Sequence, residues 1–193
     1  MGRPFLAVSV ALATAIVGVT ILVAAPDEPS DKPQYNKSGE LLRPENYREW
    51  IFLSAGLGMN YSPAPGSHDM FTNVFVPQWV YNEFLKSGQW PDKTTFVVEE
   101  RGAQSKGSIN KHGNFQTDLM GIGVEVKDAS LPDKWAYFNF DDNNSGPANP
   151  KNACFSCHEK NAAVEHSFVQ FYPTLKPVAK KFGTYREAAE EAK

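Results

Sequence analysis

Cysteine is scarce in this chain: of 193 residues only Cys154 and Cys157 carry a thiol. A disulfide-built scaffold needs more pairs than that. A structural zinc site wants four ligands, and no second cysteine pair exists to complete one. Basic residues are not in excess either, with 19 Lys and Arg against 22 Asp and Glu and a net charge of -3. No basic block stands out, which excludes a dedicated nucleic-acid binder. No internal repeat is visible. What the chain does have is 41% hydrophobic and 12% aromatic residues, enough for a packed core and too much for a disordered chain. The length fits one globular domain plus a leader.

The leader is set apart by its composition. After Met1-Gly2-Arg3-Pro4, an uncharged apolar run extends from Phe5 to Ala25, and Val23-Ala24-Ala25 precedes Pro26-Asp27-Glu28. One arginine, an apolar run and a small-residue end read as an export signal. The run is also long enough to span a bilayer, so an uncleaved anchor formed by residues 5–25 is the alternative. Either way the folded part is expected outside the cytoplasm, in the periplasm. Lipidation at Gly2 is disfavoured, because Leu6 stands where a Ser or Thr is required. Residues 26–38, with Pro26, Pro29 and Pro33, read as a flexible linker, and residues 39–193 as the domain.

Within the domain the periodicities predict a mainly β (α+β) fold. Strands are expected at Ile51 to Leu53, Phe71 to Val76, Thr94 to Glu100, Leu119 to Lys127 and Trp135 to Phe140. A short helix is predicted from Gln78 to Lys86, opened by Pro77 and stopped by Gly88. The stretches 56–67, 102–113 and 141–152 read as loops. The chain turns helical again from Ala153, and Tyr185 to Lys193 reads as a polar helical tail. The expectation is an antiparallel sheet, a few short helices and a C-terminal helix carrying the motif described next.

Both cysteines lie in Cys154-Phe155-Ser156-Cys157-His158. Two thiols one helical turn apart can add to the two vinyl groups of haem, and the adjacent imidazole then lies under the iron. A disulfide across this gap would close a short, strained loop and would not need the histidine. A thioredoxin-like pair wants a βαβ context, which is absent. The expected cofactor is therefore one covalently attached haem c, with Cys154 and Cys157 as thioether residues and His158 as axial iron ligand. His68 and His112 sit in polar loop sequence. His166 follows His158 by eight residues, on what reads as the same helix, so it should not reach the opposite haem face. Met59, Met70 and Met120 are candidate sixth ligands, though each could equally be a core or loop residue. A closed six-coordinate iron transfers electrons, and an open position binds small molecules.

The order of several segments resembles the cytochrome P-460 family, exported c-type haem proteins that include the cytochrome c′-beta group. The resemblance begins at Gly39-Glu40-Leu41-Leu42-Arg43-Pro44-Glu45-Asn46-Tyr47-Arg48-Glu49-Trp50. It continues through Gly88-Gln89-Trp90-Pro91-Asp92, Val124-Glu125-Val126-Lys127-Asp128 and Trp135-Ala136-Tyr137-Phe138. It ends with the haem motif and Phe168-Val169-Gln170-Phe171-Tyr172-Pro173. The resemblance implies a mainly β fold, a homodimer and a five-coordinate haem with the motif histidine proximal. It further implies either hydroxylamine oxidation, as in the P-460 branch, or nitric oxide binding, as in the c′-beta branch.

Two departures bear on that choice. The oxidising branch carries a lysine, cross-linked to the haem edge, in the strand that here reads Thr94-Thr95-Phe96-Val97-Val98-Glu99-Glu100, and the expected position holds Val98. Lys93 and Lys106 fit only with a shifted register. That branch also uses a carboxylate from the segment before the motif, where residues 143–153 contain no Asp or Glu, only Asn143, Asn144, Asn149 and Asn152 as related polar side chains. Asp141 and Asp142 nearby read as a solvated turn. Proton abstraction from a bound amine needs a base within reach. Phe71, Phe75, Phe96, Val98 and Phe140 are candidates for an apolar distal face. The expected function is therefore binding of nitric oxide or a related small nitrogen ligand. Hydroxylamine or nitric oxide oxidation is the alternative, and electron transfer with a partner cytochrome the second alternative.

Overall fold

The computed structural model describes Gly2 and residues 31–59, 69–141 and 146–191. The expected signal or anchor at 1–25 (apart from Gly2), the first part of the expected linker, His68, Asp142, Asn143 and Asn144 lie outside the described residues. Among the described residues, no helix is long and apolar enough to cross a membrane.

Five strands form one antiparallel meander, β1 (Ile51–Leu57), β2 (Met70–Val76), β3 (Thr95–Gln104), β4 (Phe115–Lys127) and β5 (Trp135–Asp141), each paired to the next in sequence. β3 and β4 run further than the apolar pattern predicts. Their polar ends pair through Arg101 with Leu119, Ala103 with Gln116 and Gln104 with Phe115. Backbone ladder bonds need no apolar side chain, so this extension leaves no periodic trace.

The alternation of side chains along the strands divides the sheet into two faces, each with its own core. On the first face, Leu53, Val76 and Phe96 pack with Val80 and Phe84 of α1 (Gln78–Ser87) and with Leu175 and Ala179, beside and within α3 (Lys176–Phe182). On the second, Val97, Ile122, Val124, Phe138 and Phe140 pack under Leu41, Tyr47 and Trp50. α1 starts at Pro77 and ends at Gly88, whose φ of 69° is left-handed and whose N–H donates to the Phe84 carbonyl at 2.7 Å.

Two expectations change. The tail beyond Tyr185 forms only a 3-10 turn, Glu187–Glu190; the helical segment is α3, stopped by left-handed Gly183 before the tail begins. Residues 31–38, read as linker, are anchored at Tyr35, which bridges to Leu41 and sits 6.5 Å from the Phe138 ring.

Candidate functional site

The Cys154-to-His158 run forms the end of a 3-10 turn, Asn152–Cys154, and the start of α2 (Phe155–Asn161). Both thiols are free, Cys154 half-buried and Cys157 exposed. His158 is clamped between aromatic rings, with centroids 4.3 Å from Tyr137 and 4.6 Å from Phe168. Its Nδ1 donates to the His166 carbonyl at 2.8 Å. That bond fixes the tautomer and leaves Nε2 as the free lone pair, the arrangement in which a metal-binding imidazole is normally held.

The His166 carbonyl reaches this place because α2 ends at Asn161, contrary to the single helix expected through 166. Glu165 takes a positive φ of 51°, and a tight turn pairs Val164 with Ser167. The chain doubles back, and the His166 ring stacks on Trp135 at 5.5 Å. Its side chain is thus engaged by Trp135 and by the Tyr137 hydroxyl at 3.2 Å, while its main chain orients His158.

Beside His158 lies Glu125, with Oε1 3.4 Å from Nδ1. That oxygen is buried and accepts no hydrogen bond, since the Nδ1 proton is directed to the closer His166 carbonyl. Burial pushes the Glu125 carboxyl above its usual range, against the pull of His158 and Tyr137. For His158 burial works the other way, and Glu125 together with the His166 carbonyl outweighs it, lifting the ring's affinity for a proton. Glu125 is held toward its neutral form, because no donor directed at Oε1 offsets the cost of burying its charge. The bond to His166 survives in either state, because a neutral ring carries that proton too.

His158 and Glu125 face a partly open cavity lined also by Ser54, Gly56, Met59, Thr72, Val74, Val98, Glu100, Phe168, Phe171 and Tyr172. Strand register explains the lining. One row across the sheet reads Ser54, Val74, Val98, Gly123, and the next reads Gly56, Thr72, Glu100, Gly121. Apart from Glu100 these are small side chains or none, so the first face of the sheet presents a shallow floor here. A Cβ on Gly123 would rest in ordinary van der Waals contact with Val98 at 3.7 Å and Asn139 at 4.0 Å, so no neighbour forces the glycine there.

Of the residues expected at an apolar distal face, only Val98 lines this cavity. Phe96 shares its face but is buried in the core against Trp90 and Tyr172. Phe75 and Phe140 belong to the core on the other side, because they fall on the opposite phase of their strands, and Phe71 lies outside the lining. No lysine lines the cavity among the described residues. Lys93 is paired with Asp128 beyond the start of β3, and Lys106 is exposed in the β3–β4 connection. Besides Glu125, which lies against His158, a second carboxylate reaches the cavity, from β3 rather than from the segment before the motif. It is Glu100, which period-two alternation from Val98 could have revealed. Among the candidate sulfur ligands Met59 lines the cavity, whereas Met70 and Met120, 36% and 55% exposed, lie outside its lining. His112 is exposed in the β3–β4 connection.

Haem is the group these residues would hold, and they fit it: two free thiols one turn apart, an imidazole oriented by a main-chain carbonyl, and a shallow, largely apolar floor beside it. Among the described residues no three His, Cys, Asp or Glu side chains converge to hold a metal ion.

A family model described as Cytochrome P460 matches residues 44–169, from the segment before Tyr47 through the haem motif to the turn after His166. The chain belongs to the cytochrome P460 family. No curated protein matches it.

Proposed function

We propose that the chain is an exported mono-haem c-type cytochrome that binds nitric oxide or a related small nitrogen ligand at an iron held on one side only, by His158. The observation that carries this reading is the composition of the cavity: one oriented histidine, no lysine and no second imidazole among its lining residues. Bound there, haem supplies an iron that exchanges ligands and electrons. Cys154 and Cys157 would hold it covalently, the His166 carbonyl would keep Nε2 of His158 available to it, and Val98 with Phe168 and Phe171 would keep water from it. An uncharged diatomic ligand loses little on entering such surroundings, whereas a charged one would be poorly solvated. Export to the periplasm, and a homodimer, belong to the same proposal and follow from the leader composition and the family.

Hydroxylamine oxidation is the second reading, favoured by one observation, the Glu100 carboxylate in the cavity. A base within reach of a bound amine is what that chemistry needs. Digestion of the purified holoprotein separates the two. Haem is expected on the Cys154/Cys157 peptide alone, with a high-spin spectrum that changes on adding nitric oxide and no sustained hydroxylamine turnover with an electron acceptor. Haem also on a peptide containing Lys93 or Lys106, or robust turnover lost in His158→Ala, would defeat the binding reading. A low-spin resting spectrum that ignores nitric oxide would instead favour an electron carrier.

A further inference from the structure

Gly56 occupies the middle of β1 without a conformational reason. Its φ is not positive, and it pairs regularly with Thr72. A glycine inside a strand weakens it and often marks a place where another group approaches closely. Here that group is Met59. A Cβ on Gly56 would overlap the Met59 Sδ outright and stand 2.9 Å from its Cγ. The missing Cβ is therefore the seat of the thioether, and it seats that sulfur on the lining of the cavity that His158 also faces.

The two side chains come from opposite sides. His158 stands beside Glu125 of β4, whereas Met59 folds back over β1. Three strand spacings separate β1 from β4, roughly 14 Å across the floor. Between them lie Thr72, Val74, Val98 and Glu100, none of them bulky and apolar enough to close the space. Resting on the haem reading above, we infer that Met59, seated by Gly56, covers the iron position opposite His158 and is the side chain an incoming ligand must displace. Methionine suits such a cover, since its unbranched thioether changes rotamer easily and packs well against a flat aromatic ring.

Two substitutions test this by different routes in the holoprotein, with carbon monoxide as the probe on the reduced form. Met59→Ala removes the cover. Gly56→Ala keeps the methionine but fills its seat; the atoms met below 3.0 Å are the movable end of that side chain, and Thr72 Oγ1 at 3.0 Å needs to give by only a few tenths of an ångström, so the strand need not unfold. Both are expected to speed carbon monoxide association about tenfold, with high-spin spectra before ligand addition. Should Met59→Ala fail to retain haem, Met59→Val keeps apolar bulk on the cavity wall while removing the thioether. Unchanged association rates and spectra in both substitutions would overturn the assignment. A low-spin wild type that both substitutions turn high-spin would still put Met59 at the iron, and would sink the five-coordinate reading instead. Wild-type protein that carries no haem when expressed in a haem-attaching host would sink the cofactor reading itself, which a haem-stained denaturing gel reports separately.

Discussion

Glu99 and Glu100 are neighbours on β3 and live in different worlds. Glu99 points into the second face of the sheet, where its side chain is 2% exposed. Tyr47 donates to it at 2.6 Å and Asn73 at 3.2 Å, while Arg48 and Arg101 pair with it at 2.6 and 2.5 Å. Glu100 points to the first face, onto the cavity floor, and has no hydrogen bond or ion pair among the described residues. A buried carboxylate surrounded by donors belongs to the architecture, since each partner offsets part of the cost of taking its charge out of water. A half-buried carboxylate kept without partners in a cavity does nothing for the fold and remains available to a ligand.

The comparison can be broken most forcefully at Glu99. Glu99→Ala leaves the buried Tyr47 hydroxyl and the side chains of Arg48 and Arg101 without their acceptor. Because both arginines can partly turn to solvent, the expected loss is at the lower end for a broken buried pair, about 3 kcal/mol. Denaturant titration should show the midpoint falling with the m-value unchanged. A loss below about 1 kcal/mol would mean that the network is surface decoration.

The pH dependence sharpens the same point. Burial alone would raise the Glu99 carboxyl, but Arg101, Tyr47, Arg48 and Asn73 together hold it below its ordinary value of 4.5. The folded state therefore holds this proton less tightly than the unfolded state does. Its stabilisation is fully present above the ordinary carboxylate range and is lost as pH falls through the lowered value. Glu99→Gln should start less stable at neutral pH and then lose less on acidification, so the two stability curves converge on the acid side. Parallel curves would contradict the assignment.

Glu100 carries the smallest stability effect and a different signature. Glu100→Gln should leave the unfolding free energy within about 0.5 kcal/mol. On the proposed haem reading it should also raise the reduction potential, because replacing a carboxylate beside the iron with an amide disfavours the ferric state. Spectroelectrochemical titration reads the shift, and a lowered or unmoved potential would remove Glu100 from the cavity's chemistry.

Much of this molecule is written in local pattern. The alternation of Trp135, Tyr137 and Asn139 with Ala136, Phe138 and Phe140 predicts both faces of β5, and the structure puts Phe138 and Phe140 in one core and Trp135 in the other. Pro77 and Gly88 bracket α1 because each acts through its own backbone. The partners of the motif were not legible in the same way. His166 matters through a main-chain carbonyl, which any residue possesses, and Glu125 reads in sequence as one more polar residue of a half-buried strand. Lys93 looks available until its pairing with Asp128 is known.

The sequence by itself determined that two thiols and an imidazole, at Cys154, Cys157 and His158, lie together within about one helical turn, because they need no distant partner to be brought together. It also determined the strand phases that send Glu99 and Glu100 apart. Only the tertiary structure decided what surrounds that chemistry. Whether Val98, Glu100 and Met59 share a cavity with His158 depends on register across four strands and on the turn that returns His166. Those are contacts between residues far apart in the chain, and a one-residue slip would send every one of those strand side chains to the other face.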